Sequence, residues 1–369
     1  MDKKSNRKFE FGRYKNVVLI VVIILVTGSI FLIQNIKQTN RQKIYVRELA
    51  SMDNSERVKQ KLALYPKAKE LVEPNGYLNT DKITIAEQIG KNIVLIDFWT
   101  YSCINCQRTI PYINAWYEKY KDKGLLIIGV HTPEFDFEKD YNNVKRAIEK
   151  FGIKYPVVQD NEYKTWSAYK NRYWPRKYLI DIDGFIVFDH IGEGAYEETE
   201  KKIQELLEER NKVLKLDEQI SKDVSKPDVE SAGQIGTPEI YFSYGFSRGQ
   251  MGNKEGWQPG KTVNYTASQK LEANKFYLAG NWLNNKDNME LVSNQGSILL
   301  VYFAKKVNLV AGSKTATEIV VYLDGKEHKK LVISDFDLYN VVSTQESGAH
   351  ILEIDANSPG LMAYTFTFG

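Results

Sequence analysis

The two cysteines of this 369-residue chain stand together as Cys103-Ile104-Asn105-Cys106. Sulfurs at this spacing can cycle between a dithiol and a disulfide. The apolar run Ile93-Val94-Leu95-Ile96 leads into them, and a helix-compatible stretch follows. At such a junction the strand fixes the site, while the helix N-terminus favours a thiolate over a thiol at the first sulfur. With no third cysteine in the chain, the two can matter only as a pair. The chemistry indicated is thiol–disulfide exchange.

A working dithiol needs a rigid frame, and strand and helix signals alternate from Gly76 to about Leu207. Buried strands are predicted over Asn92–Phe98 and Gly124–His131, then over Lys177–Asp181 and Phe185–His190, turned at Asp183-Gly184. Helical patterns fill Gln107–Lys121, Glu138–Phe151 and Glu197–Arg210. Strand, helix, strand, helix, hairpin and closing helix is the order of a thioredoxin-type sheet. The α/β domain is therefore expected over 76–210. Residues 211–235, rich in charge with Ser, Pro227 and Gly233, are expected to be a linker. Short alternating runs such as Ser297–Phe303, Glu318–Leu323 and Gly348–Ile354 then predict an all-β sandwich, jelly-roll-like, over 236–369.

Six basic residues between Lys3 and Lys15 precede an uncharged run whose apolar heart is Val17–Ile33, long enough as a helix to cross a bilayer. The expectation is a cytoplasmic basic tail over 1–16, a transmembrane anchor over 17–36 and a charged stalk over 37–75 with Ser55 as a helix cap. The catalytic part then lies outside the membrane. A cleavable signal peptide is the rival reading, but Gln34-Asn35-Ile36-Lys37 offers no small-residue cleavage pair. A net charge of +3, with no basic tract beyond the N-terminus, points away from nucleic acid.

The segment Asp97-Phe98-Trp99-Thr100-Tyr101-Ser102-Cys103-Ile104-Asn105-Cys106, with Pro111 eight residues after the first cysteine, resembles the thioredoxin family. The longer pattern, from Gly76-Tyr77-Leu78-Asn79-Thr80 to Val130-His131-Thr132-Pro133-Glu134-Phe135, is similar to DipZ-type proteins. These are relatives of the TlpA/ResA-like membrane-tethered thioredoxins, and they carry a carbohydrate-binding-like β module after the thioredoxin. Leu323-Asp324-Gly325 and Ala363–Gly369 are similar to the end of that module. DipZ-type proteins also carry a multi-helix electron-conducting membrane domain. One apolar span in this chain implies a separate membrane electron donor of CcdA type.

The resemblance implies roles for individual residues. Cys103 attacks a client disulfide and Cys106 resolves the mixed disulfide, so no cofactor beyond the Cys103–Cys106 disulfide is needed. Asp97, on the strand beneath, accepts the proton of Cys106. Trp174-Pro175 is the place of a cis-proline that faces the dithiol and docks an extended protein client. Trp99 and Tyr101 are expected at the apolar rim, and Glu134 as a carboxylate that tunes the cysteines. No metal is expected, because His131 with one cysteine pair lacks the spacing of copper carriers and the second pair of a zinc site. Trp166 and Tyr169 read as core. Trp257, Trp282, Tyr241, Tyr244, Phe246 and Tyr265 could supply a platform for a cell-wall glycan, although sandwich packing uses the same residue types. Two alternatives stand beside a reductase: a thiol peroxidase, echoed by Thr100-x-x-Cys103, and a glycan- or partner-binding protein with a subsidiary redox domain.

Overall fold

Apolar residues in an unbroken run are buried on both sides of a sheet, and Ile93–Trp99 is buried at every position. This strand, β2, is central in the computed structural model, which describes residues 52–230 and 232–369 together with Ile20, Leu25 and Gly28. Apart from those three residues, the expected tail, anchor and first part of the stalk lie outside the described residues. Among the described residues no helix is long and apolar enough to cross a membrane. Helix α1 (Asn54–Leu64) is capped by Asp53, not by Ser55 as expected: its Oδ1 accepts the N–H of Ser55 at 2.8 Å and of Glu56 at 3.2 Å.

The α/β module has strands β1 (Gly76–Leu78), β2, β3 (Leu125–His131), β4 (Val157–Gln159), β5 (Arg176–Ile180) and β6 (Ile186–Ile191). They form one sheet in the order β1-β4-β3-β2-β5-β6. β2, β3 and β4 run parallel, with β1, β5 and β6 antiparallel to their neighbours. Helices α2 (Ile104–Tyr120), α3 (Tyr141–Lys150), α4 (Lys164–Ala168) and α5 (Tyr196–Leu214) complete it. Side chains alternate along β2. Leu95 and Trp99 pack with Ile110, Ile113 and Trp116 of α2 and Leu206 of α5. Val94, Ile96 and Phe98 pack on the other face with Leu71, Tyr169 and Tyr178. Asp97 therefore faces α2. The β5–β6 turn falls at Asp183-Gly184, where Gly184 takes a left-handed φ of +85°.

The module starts earlier than residue 76. Lys67 bridges to Phe185, Ala68 donates to the Gly184 carbonyl at 2.9 Å, and Leu71 is in the core. The last part of the expected stalk is thus a structural edge, hidden from pattern reading because charged residues flank its few apolar ones. The expected linker is also held. α5 runs on to Leu214, Ile220 packs on the core, and Ser225 donates to Glu200 through both its N–H and hydroxyl.

The C-terminal module is a single antiparallel sheet. Its strands are β7 (Ile240–Tyr241), β8 (Thr262–Tyr265), β9 (Phe276–Asn284), β10 (Met289–Gly312), β11 (Thr317–Leu323), β12 (Lys326–Ile333), β13 (Asp337–Ala356) and β14 (Met362–Phe368). The main path is β12-β11-β13-β10-β14-β7, with β9 on β10 and β8 on β9. Met362 and Ala363 pair with Met289 and Glu290 at one end of β10 and with Ala311 and Gly312 at the other. The module expected as a jelly-roll-like sandwich is built from one antiparallel sheet rolled on itself through a long strand with register shifts near Lys306 and Asn308. Its core includes Trp282, Phe276, Leu300 and Phe366. Trp282 is fully buried and donates Nε1–H to the Ala279 carbonyl at 2.8 Å. Trp282→Ala is expected to destabilise the protein by about 3–5 kcal/mol, read as a lowered midpoint of denaturant unfolding.

Residues 65–210 and 218–369 form one compact unit. The join is aromatic: Phe135, from the loop after β3, clusters with Tyr241, Tyr364 and Met362, and Phe137, Phe246 and Phe336 pack against them.

Candidate active site

Cys103 is the N-cap of α2, in extended conformation, and its Sγ accepts the N–H of Cys106 at 3.3 Å. The first sulfur therefore sits where the helix presents its unpaired donors. Cys103 is half-buried and Cys106 is 1% exposed, and both are free thiols. Of the two sulfurs, that of Cys103 is the more accessible. Burial pushes the Cys106 thiol well above its ordinary range, with its contact to Cys103 adding to the effect.

Beneath them lies Asp97, 1% exposed, with no hydrogen-bond partner at Oδ1. Burial lifts its carboxyl to about 7, opposed by the charge of Lys177. Lys177 was not among the sequence candidates. It stands directly opposite Asp97 in the β2–β5 register and is fully buried. Its Nζ donates to the Gly192 carbonyl at 3.2 Å. A second basic residue, after Arg176, leading into the apolar Tyr178-Leu179-Ile180 was the available signal. Lys177 is the counter-charge that keeps a dry carboxyl within titrating range.

The Trp174-Pro175 bond is cis, as expected. The Pro175 carbonyl accepts the Gly192 N–H at 2.8 Å, and Trp174 donates Nε1–H to the Thr132 carbonyl at 3.0 Å. Trp174 and Cys103 are both half-buried and pack against the same apolar core.

Three expectations are corrected. Trp99 is not at a rim: it has no exposed surface and packs edge-on to His131 at 5.1 Å. Tyr101 is 2% exposed, stacks on His131 and donates its hydroxyl to the Phe336 carbonyl at 3.2 Å, so the C-terminal module covers it. Glu134 is engaged by the C-terminal module, where it accepts the Tyr241 hydroxyl at 2.7 Å. Burial first, and then Glu138, push its carboxyl up to about 8. The carboxylate behind the dithiol loop is Glu138, which accepts the Ser102 hydroxyl at 2.6 Å. Glu138 also accepts the Phe135 N–H at 3.0 Å, and since Phe135 offers no side-chain acceptor of its own the sequence carried no capping-box signal for this turn.

His131 is fully buried, and desolvation lowers its pKa to about 3, leaving a neutral ring. Its Nε2 lies 3.5 Å from the Thr100 hydroxyl. Among the described residues the carboxylates of Asp181, Asp183 and Glu209 lie within 4.8 Å of one another, but none lacks an interaction partner. Asp181 and Asp183 follow the end of β5 away from Pro175, and Glu209 lies on α5. The glycan candidates are mostly committed elsewhere: Trp282 and Tyr265 are core, Trp257 packs against it, and Tyr241 and Phe246 belong to the join between modules.

Residues 66–188 match the AhpC/TSA family, and residues 237–369 match the thioredoxin-like C-terminal domain. Protein DipZ of Mycobacterium tuberculosis is 38% identical over 304 residues, covering 82% of this chain and 43% of DipZ. The chain thus spans less than half the length of that relative. The thiol-disulfide oxidoreductase ResA of Bacillus anthracis is 34% identical over 129 residues, 35% of this chain and 71% of ResA. A putative thiol:disulfide interchange protein DsbE from Chlorobium tepidum is a structural neighbour with TM-score 0.35 and 23% identity, covering 39% of this chain and 96% of that one. A chain that carries its cysteine pair at a strand–helix junction and is 34% identical to ResA, over 71% of that protein's length, belongs to the thioredoxin-like thiol-disulfide oxidoreductase family.

Proposed function

We propose that this protein reduces disulfides of protein clients on the outer side of the cytoplasmic membrane. The observation that carries the reading is the pairing of a half-exposed Cys103 Sγ at a helix N-cap with a buried Cys106 next to Asp97. The Cys103 thiolate attacks one sulfur of a client disulfide, and the other leaves as a client thiolate that takes a proton from water. Asp97, ionised, takes the proton of Cys106. The Cys106 sulfur then attacks Cys103 Sγ, forming the Cys103–Cys106 disulfide and expelling the second client sulfur, so two electrons pass to the client. A dithiol donor must return them, and a CcdA-type membrane protein is the class that fits an anchored chain.

Direction is argued from Cys106. Burial disfavours its thiolate, so the reduced pair gains no stabilisation from ionisation at that sulfur, and a dithiol not held in its reduced form tends to donate electrons. The outer location rests on the basic N-terminus followed by the Val17–Ile33 run. The Thr100 hydroxyl is within 3.5 Å of His131 in a fully buried pocket, which argues against a peroxidatic Thr–Cys pair.

Cys106→Ser is the direct test. It retains attack but cannot release, so client proteins should accumulate on Cys103 as adducts that dithiothreitol dissolves, identified by mass spectrometry. A reduction potential near that of thioredoxin, about −270 mV, is expected, whereas one near −120 mV would make the protein an oxidant.

A further inference from the structure

The two residues before Cys103 are each tied to the C-terminal module, one directly and one through a buried carboxylate. Tyr101 donates to the Phe336 carbonyl at 3.2 Å. Ser102 is held by Glu138, which is fully buried and uses both oxygens: Oε1 accepts the Ser102 hydroxyl at 2.6 Å and its N–H at 3.3 Å, and Oε2 accepts the N–H groups of Glu134 at 2.6 Å and Phe135 at 3.0 Å. That same turn carries the contact with the module. Phe135 and Phe137 lie 5.1 Å and 4.7 Å from the Tyr364 ring, Phe137 lies 5.4 Å from Phe336, and Glu134 accepts the Tyr241 hydroxyl.

We propose that the C-terminal module is a built-in part of the redox site, and that Glu138 is the positioning residue through which its docking holds Cys103 at the N-cap of α2. The geometry leaves no slack in this path: turn, carboxylate and Ser102 are linked by four hydrogen bonds without solvent access at Glu138. A thiolate draws its stabilisation from helix N–H groups only while it stays aligned with them. Loosening Tyr101 or Ser102 therefore withdraws that alignment and makes Cys103 less reactive. This role rests on the dithiol reading of the site, but its readout does not require a client.

The experiment measures iodoacetamide alkylation of Cys103 against pH in the full chain; Cys106 is buried and does not compete. Ser102→Ala cuts the Glu138 strut, Tyr101→Phe cuts the direct tie, and Tyr241→Phe cuts a bond on the module side that touches neither cysteine. Combined Ser102→Ala and Tyr101→Phe should slow alkylation at pH 7 about fivefold, with the profile displaced to higher pH, and Tyr241→Phe about twofold. A purely structural role would lower the melting temperature and leave the profile in place. If the profiles of both Tyr101→Phe and Tyr241→Phe superimpose on that of the unmodified protein, the proposal is overturned. If the unmodified protein alkylates normally but reduces no disulfide, the proposed function fails and this coupling stands.

Discussion

Cys103→Ser is expected to abolish disulfide reduction, with a fall of about a thousandfold or more in turnover of a disulfide such as insulin. A serine hydroxyl is not ionised near neutral pH and cannot form the mixed disulfide that begins the cycle. The loss should leave the fold intact, because the cap position accepts serine and its oxygen can take over the Cys106 N–H now donated to Sγ at 3.3 Å. Unchanged unfolding with lost turnover would assign the defect to the sulfur. Residual activity above one part in a hundred would remove Cys103 from the nucleophile's role.

The second large effect is at Asp97, where activity and stability should move in opposite directions. Asparagine fills the same space and cannot accept the Cys106 proton, so resolution of the mixed disulfide at pH 7 should slow about a hundredfold. In the unmodified protein that step should accelerate as pH rises through about 7, where the Asp97 carboxyl ionises. The asparagine variant should lose this limb. Lys177→Met should shift the limb to higher pH, since the lysine charge holds the Asp97 pKa down. Stability follows by linkage. The folded-state pKa of Asp97 is raised from 3.8 to about 7, so its neutral form is favoured in the fold and the folded state loses ground as pH climbs between those values. Asp97→Asn should therefore be neutral below pH 4 and stabilise the protein above pH 7, by on the order of 4 kcal/mol. Denaturant unfolding at the two pH values checks the sign. Equal stability at both would show that Asp97 is solvated in the folded protein.

The parts of this site legible in the sequence are those where residue type and local spacing suffice. Cys103 and Cys106 are separated by two residues at a strand–helix junction, and Asp97 is the one charge in an apolar strand. Trp174-Pro175 sits just ahead of a hairpin pair. Each is a local fact, and each is where it was expected. The misplaced residues share another property. Trp99, Tyr101 and Glu134 lie one or a few residues from the dithiol or from the end of β3, so proximity along the chain suggested the rim. Exposure, however, depends on what covers a residue, and for Tyr101 and Glu134 the cover is Phe336 and Tyr241, more than 100 residues away. Likewise β1 and β4, three residues each, are too short to show periodicity and exist because β4 pairs with β3 and β1 with β4.

The amino-acid order by itself determined that the chain holds one redox pair, an α/β frame for it and a β-rich module after it, because these follow from cysteine spacing and from periods of two and 3.6 residues. Tertiary structure alone decided the rest. Lys177 becomes the counter-charge of Asp97 because antiparallel pairing sets them opposite one another. Glu138 becomes the anchor of Ser102 because the turn after β3 folds back over the dithiol loop. Burial and partnership between residues far apart in the chain arise only when the sheets close, and they govern which ionisable groups titrate near neutrality.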